Sequence, residues 1–342
     1  MPRLIISAAE ASADRLASEL IAELPRREEW EIAGIAGPQM RAAGVEALAR
    51  TEDLSVMGAA ELLGHLGAIR QAQAAVLDAL EDAPDAVVLI DAPDLHMPIG
   101  RAAKAKGIPT IGYVSPQVWA WRPKRTKAIS EALDTLLCLF DFEPALYPEL
   151  DASWVGHPVV DRLPPRGAVD PNLYALLPGS REQEISRMRP LFLQAAEVIR
   201  QHQPEARFLL IGPPPEEIPP QWIQPTPDIR DAVQARGALT KAGTVTLELA
   251  VMGVPQVVAH RVHPMTFGLG RLLVRGIRHI AMPNILADGP CVPEYLQRLD
   301  PTILAQAVLD LPENQNVPLQ ALGGPGAAAR AAAQLTKAME RT

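Results

Sequence analysis

Apolar residues in this chain fall into short runs and helical stripes that alternate along its length. Residues 4–7 predict a strand, followed by a loop over 8–14 and a helix over 15–24. A second strand is predicted over 31–35. The third, over 86–90, reads Ala-Val-Val-Leu-Ile, a continuous run of the kind that a parallel sheet buries on both faces. Strands at 110–114 and 135–140 follow, with helical stretches at 69–81 and 124–132. This alternation implies right-handed βαβ units and a doubly wound sheet. Residues 159–170, with Pro164, Pro165 and Gly167, read as an interdomain linker. The pattern then restarts. A strand over 174–177 runs into the tight loop Pro178-Gly179-Ser180-Arg181. A helix over 182–200 follows, with Ile185, Met188, Phe192, Ala195 and Ile199 on one face. Strands are predicted at 207–211 and 256–259, while 246–251 reads equally as strand or helix. Proline-rich 212–227 reads as a loop, and alanine-rich 326–339 as a terminal helix.

A chain of 342 residues exceeds what one hydrophobic core supports, so the two halves predict two domains. The expected division is 1–163 and 164–325, both Rossmann-like α/β and facing a central cleft, with 326–342 a terminal helix packing back on the first. Ligands of such sheets sit outside the carboxyl ends of the strands. The net charge of −8 argues against a general nucleic-acid binder, so any bound anion must be met by local basic clusters. Cys138 and Cys291 are the only cysteines, which fits a reducing compartment without a disulfide framework. The first apolar run is too short for a signal-peptide core and no later run reaches a membrane span, so a soluble, cytoplasmic protein is expected.

No G-x-G-x-x-G follows the first strand, and P-loop, G-x-S-x-G and metal-ligand spacings are absent, so the chemistry must lie in less generic loops. The segment 177–181, Leu-Pro-Gly-Ser-Arg, joins a strand to a helix. It reads as a phosphate site, with Gly179 giving backbone access and Arg181 a guanidinium fork, or as a plain turn with an exposed arginine. Gly243, Thr244 and, about one turn on, Glu248 suit a diphosphate and ribose hydroxyls; alternatively Glu248 only stabilises a first helical turn. Asp91 and Asp94 end the third strand, where one carboxylate can serve as a general base and the other as a cap. Residues 113–125, Tyr-Val-Ser-Pro-Gln-Val-Trp-Ala-Trp-Arg-Pro-Lys-Arg, offer aromatic platforms beside Arg122, Lys124 and Arg125, or core tryptophans with a solvated basic edge. Arg271, Arg275 and Arg278 lie at helical spacing in an apolar stretch. That pattern suits either a membrane-interface helix or an ordinary surface helix.

Taken in order, these segments resemble the lipid-A-disaccharide synthase family from the first strand to about Gln297. The resemblance rests on residues 36–40, 56–58, 90–94, 113–125, 142–143, 155–158, 176–181, 243–248, 283–287 and 293–297. It implies a metal-independent, inverting glycosyltransferase of the two-Rossmann (GT-B) type that needs no cofactor. The family moves a diacylglucosamine from UDP to the 6-hydroxyl of a diacylglucosamine 1-phosphate. It works at the inner face of the cytoplasmic membrane, as a peripheral protein, with a homodimer left open. Carried over residue by residue, the resemblance makes Asp91 the base, with Glu10 and Asp14 as further catalytic candidates. Arg181 meets the UDP phosphates, Glu248 the ribose, and Asn284, Glu294 and Gln297 line the nucleotide-sugar site. Ser12, Met57, Ser115, Trp119, Arg122, Ser180, Gly243 and Thr244 complete the expected contacts. Three departures stand out. The family's first loop reads G-E-x-S-G-D, whereas here Ala9 and Ala13 replace both glycines, and Ala242 replaces a serine. The stretch from Ile211 to Ala242 is also short, as though a strand–helix element were missing. A paralogue with another acceptor, and a non-catalytic sugar-nucleotide- or lipid-binding homologue, are the alternative readings.

Overall fold

The computed structural model describes residues 1–54, 62–116, 125–215, 219–261 and 278–341. The chain divides into two compact units, Met1–Asp161 with Ala321–Thr342, and Arg162–Gln320.

The first unit is built on seven parallel strands: β1 (Arg3–Ala8), β2 (Glu31–Ala36), β3 (Glu46–Arg50), β4 (Ala86–Ile90), β5 (Thr110–Tyr113), β6 (Thr135–Cys138) and β7 (Asp151–Trp154). They lie in the order β3-β2-β1-β4-β5-β6-β7. Every residue of β4 is buried, as its unbroken apolar run requires of a central parallel strand. Four helices matter to the site: α1 (Ala11–Ala22), α2 (Pro38–Ala42), α3 (Leu62–Ala79) and α4 (Pro93–Ala105). The first helix begins four residues before its expected start, so Ser12 and Asp14 belong to its opening turn rather than to a loop. The terminal helix Ala327–Met339 belongs to this unit and packs on α1. It is fastened by Asp161, which accepts from the Gly326 and Ala327 amides, and by Arg330, which donates to the Val155 carbonyl at 2.7 Å.

The second unit carries six parallel strands: β8 (Asp170–Leu177), β9 (Arg207–Ile211), β10 (Ile223–Thr226), β11 (Ala235–Lys241), β12 (Gln256–His260) and β13 (Glu294–Leu296). Their order is β10-β9-β8-β11-β12-β13. The helix Glu182–His202 buries Ile185, Met188, Phe192, Ala195 and Ile199 against this sheet, the face that the periodicity marked. Residues 245–251 resolve as helix. The short stretch after Ile211 lacks no strand: β10 and β11 both occupy it. The connection between them is the 3-10 helix Ile229–Gln234.

Candidate functional site

In the first sheet β1 and β4 are neighbours, yet the chain leaves β1 toward β2 on one side and β4 toward β5 on the other. Their carboxyl ends therefore flank a topological switch point, where open α/β sheets bind ligands. Ala8 pairs with Ile90, so Ala9-Glu10 and Asp91-Ala92 leave the sheet side by side. Asp91 and Ala92 are both left-handed (φ 53° and 43°), and Val114, just past the end of β5, has φ 76°. Such conformations cost roughly 1–2 kcal/mol per non-glycine residue, and a β-branched residue is rarely found in them. The surrounding bonds hold them: the Asp91 amide donates to the Tyr113 carbonyl at 3.0 Å, and the Val114 amide to the Leu137 carbonyl at 3.0 Å. A further tie comes from His96, fully buried in α4. Its Nδ1 lies 2.7 Å from the Asp91 carbonyl oxygen and its Nε2 lies 2.8 Å from Ser7 Oγ on β1. A carbonyl only accepts, so Nδ1 carries the proton and Nε2 accepts from the Ser7 hydroxyl. Burial lowers the His96 pKa to about 4, which keeps the ring neutral. Asp91 is itself exposed to solvent. The protein around the carboxyl nonetheless desolvates it and raises its pKa, against the lowering effect of the Ala92 amide.

The other expected residues of this unit separate into two groups. Glu10 and Ser12 are exposed at the start of α1. Asp14 is buried, and its carboxylate accepts from the Gln39 and Met40 amides at 2.9 and 3.1 Å, capping α2. Gly37 makes room for it, since a Cβ there would stand 2.4 Å from Asp14 Cγ. Asp14 is therefore a scaffold carboxylate, in place of the catalytic role expected of it. Ser115 is likewise buried, 3.1 Å from the Tyr147 hydroxyl and hydrogen-bonded to Glu143, so it braces the loop after β5 rather than meeting substrate. The alanine substitutions are accommodated without strain. Ala9 packs on the core, Ala13 is buried on α1, and neither has positive φ. Met57, Trp119 and Arg122 lie outside the described residues.

Sequence reasoning gave Glu143 no role. It is 2% exposed, and its carboxylate accepts from the Leu139 and Phe140 amides at 2.9 and 3.0 Å. Burial pushes its pKa up to about 7.

The second unit repeats the topology, with its switch point between β8 and β11. Leu177 pairs with Thr240, so the Pro178–Arg181 loop and Lys241-Ala242-Gly243 emerge together. Gly179 has φ 123°, and a Cβ there would press on Glu184; no other residue type fits this turn. Ser180, Arg181 and Thr244 are exposed, while Gly243 and Glu248 are half-buried. Thr246, which sequence reasoning passed over, fixes the second loop: its hydroxyl donates to the Gly243 carbonyl and accepts from the Met282 amide. Two expected ligands are committed to the backbone instead. Asn284 is buried, donating to the Val292 carbonyl and accepting from the Cys291 and Val292 amides. Glu294 Oε1 accepts from the Ile280 and Ala281 amides, just ahead of the helix Met282–Ala287. Both side chains shape the loops around the site. Gln297, at φ 66°, donates its amide to the His260 carbonyl and leaves a half-buried side chain beside β12.

Two Rossmann-like sheets in one chain, each with polar loops at its switch point, are the architecture of GT-B sugar-nucleotide enzymes. Solved structures share it at low sequence identity. A putative UDP-N-acetylglucosamine 2-epimerase from Listeria monocytogenes superposes with a TM-score of 0.65 at 13% identity, covering 99% of this chain and 97% of that one. MurG of Acinetobacter baumannii gives 0.57 at 16%, covering 100% of each. Sequence comparison goes further. The family model for lipid-A-disaccharide synthetase matches residues 4–319. Lipid-A-disaccharide synthases of Geobacter metallireducens and Xanthomonas campestris pv. campestris are each 36% identical, over 321 and 340 residues. These matches cover 86% and 90% of this chain, and 83% and 78% of the relatives. The chain belongs to the lipid-A-disaccharide synthase family, glycosyltransferases of lipid A synthesis that use a UDP-sugar donor.

Proposed function

We propose that this chain transfers a 2,3-diacylglucosamine from UDP to the 6-hydroxyl of a 2,3-diacylglucosamine 1-phosphate, with inversion and without a metal ion. The second unit holds UDP, with Arg181, Ser180, Gly243 and Thr244 toward the diphosphate and Glu248 and Gln297 toward the nucleoside and sugar. The first unit takes the acceptor, with Glu10 and Ser12 beside Asp91. Asp91 removes the proton of the 6-hydroxyl as that oxygen bonds to C1 of the donor sugar. The bond from C1 to the phosphate oxygen breaks, and UDP leaves with the electron pair. Asp94, on the first turn of α4, orients the loop. The chain works against the inner face of the cytoplasmic membrane as a peripheral protein; among the described residues no helix is long and apolar enough to cross a bilayer.

The observation that carries this reading is the strained, fully braced turn at Asp91. Backbone strain persists where the surrounding structure over-determines it, and such turns cluster at reacting groups. A carboxyl with a raised pKa is also a stronger base. Asp91→Asn lowers kcat by about 10²–10⁴ and leaves UDP affinity unchanged, because an amide keeps the shape and loses the basicity. In the wild type, activity falls with acid through a pKa above the ordinary aspartate value, since only the unprotonated carboxylate accepts the proton. If Asp91→Asn keeps its turnover while Glu10→Gln loses it, the base is in the first loop instead. If the wild type binds UDP but transfers to no diacylglucosamine acceptor, the chain is a binding homologue.

A further inference from the structure

At the second switch point a lysine stands where no role has been assigned to it. Lys241 is the last residue of β11, and its side chain is only 15% exposed. Its Nζ lies 2.8 Å from Glu184 Oε1, and Arg181 Nη1 approaches the same oxygen at 3.9 Å. Two cations from two different loops thus converge on one carboxylate oxygen. Glu184 itself sits beneath the Pro178–Arg181 turn, its Oε2 2.8 Å from the point where a Cβ of Gly179 would be. On the other side Lys241 Nζ lies 3.8 Å from the corresponding point on Gly243, so the ammonium lies between the two glycine-bearing loops. Burial opposes the charge on Glu184, and the two cations outweigh it, holding its carboxyl below the usual range. His260, at the end of β12, faces the same pair; burial and the Lys241 charge lower its pKa against the raising effect of Glu184. Its Nδ1 is buried with no hydrogen-bond partner among the described residues.

We propose that Lys241 is a ligand of the nucleotide diphosphate, held in place by Glu184 until the nucleotide arrives, when its ammonium exchanges that carboxylate for a phosphate oxygen. This rests on the reading of the second unit as the UDP half. The charges argue for exchange rather than a fixed structural pair. Arg181, Lys241 and Glu184 sum to one positive charge around backbone loops that glycines leave open, an arrangement that attracts an anion. A carboxylate oxygen already occupies the place a phosphate oxygen would take, with similar charge-assisted hydrogen bonds.

The test measures UDP binding by calorimetry for the wild type and for Arg181→Ala, Lys241→Met, Lys241→Arg, Glu184→Gln and the Lys241→Met/Glu184→Gln pair. Lys241→Met weakens UDP by about ten- to a hundredfold, the range of one charge-assisted hydrogen bond, and Lys241→Arg recovers most of that loss. Glu184→Gln tightens UDP by about threefold or more, because the competing anion is gone. The double variant removes the risk that an unpaired Glu184 unfolds the loop, and it binds as weakly as Lys241→Met. If Lys241→Met binds like the wild type while Arg181→Ala weakens UDP, the nucleotide site stands and the exchange is wrong. A Glu184→Gln protein that loses affinity as Lys241→Met does would make the pair scaffold and overturn the proposal. Failure of the wild type to bind UDP at all would overturn both readings.

Discussion

Glu143→Gln tests whether the buried carboxylate after β6 titrates within the physiological range. In the folded chain its pKa stands at about 7, against an ordinary value of 4.5, with burial the main cause. Below pH 4.5 both folded and unfolded states hold the proton, and the group costs nothing. Between pH 4.5 and 7 the unfolded chain releases the proton while the folded chain keeps it, so stability falls as pH rises. Above 7 both are ionised and the full cost persists. At about 1.4 kcal/mol per pH unit, this window amounts to about 3 kcal/mol, an upper figure for a group with this many donors around it. Glutamine keeps an oxygen for the Leu139 and Phe140 amides and cannot ionise. Urea unfolding of wild type and variant at pH 5, 6, 7 and 8 therefore gives a stability difference that moves in the variant's favour by about 1–3 kcal/mol across the series. A difference constant within about 0.5 kcal/mol would mean that Glu143 is ionised in the fold at every pH tested, and that the amides and Ser115 outweigh its burial.

Gly37→Ala forces the Asp14 carboxylate off the α2 amides and lowers stability by about 2–4 kcal/mol, read from the thermal midpoint. Asp14→Asn keeps kcat within about threefold because Asp14 caps a helix and moves no proton; a loss as large as that of Asp91→Asn would return it to the reaction. Membrane contact is tested on Arg271 and Arg275, which lie outside the described residues, together with the exposed Arg278. Replacing all three with glutamine releases the protein from vesicles of anionic lipid, and salt weakens the wild-type interaction; equal partitioning of the two proteins refutes that role.

The elements that sequence pattern revealed were those whose burial is regular, such as β4, buried throughout, and the Glu182–His202 helix, buried along one stripe. The missed ones have physical reasons. Strands β3 and β7 are outer strands without one fully buried residue, so neither shows the alternation or the unbroken run that marks a strand. β10 contains Pro225 and is tolerated as an edge strand. β11 lies between β8 and β12 but reads Ala-Arg-Gly-Ala-Leu-Thr-Lys, with weak strand formers in its middle. A Cβ on Gly237 would stand 2.7 Å from Leu311 Cδ1, so a larger residue there would have to move that side chain. α4 hid behind Pro98 and Gly100, the latter required where a Cβ would meet the Ala132 carbonyl at 2.5 Å. Among site residues, strand-end position was readable: Asp91 directly follows β4, and Arg181 lies in the loop that follows β8. What sequence does not carry is which backbone amides lack acceptors. Asp14, Asn284 and Glu294 each supply one, and in sequence they look no different from ligands.

The two switch points are held by different forces, and this bears on how each can work. At the first, the strained Asp91 turn is braced by neutral hydrogen bonds from a buried histidine and from neighbouring strands. None of those partners is an ion that a substrate can replace, so the backbone of the turn keeps its path with or without an acceptor beside it. Preorganisation of this kind is what proton transfer needs, because a base displaced by an ångström loses its hydrogen bond to the attacking hydroxyl. At the second, the loops are tied by Lys241 and Arg181 around Glu184. Ion pairs at a partly exposed loop contribute little to stability, and in the proposed exchange an entering diphosphate competes for the same cations. The proposed base on a braced turn in one unit and the proposed exchangeable anion site in the other suit a reaction whose acceptor must be oriented and whose nucleotide must be both bound and released.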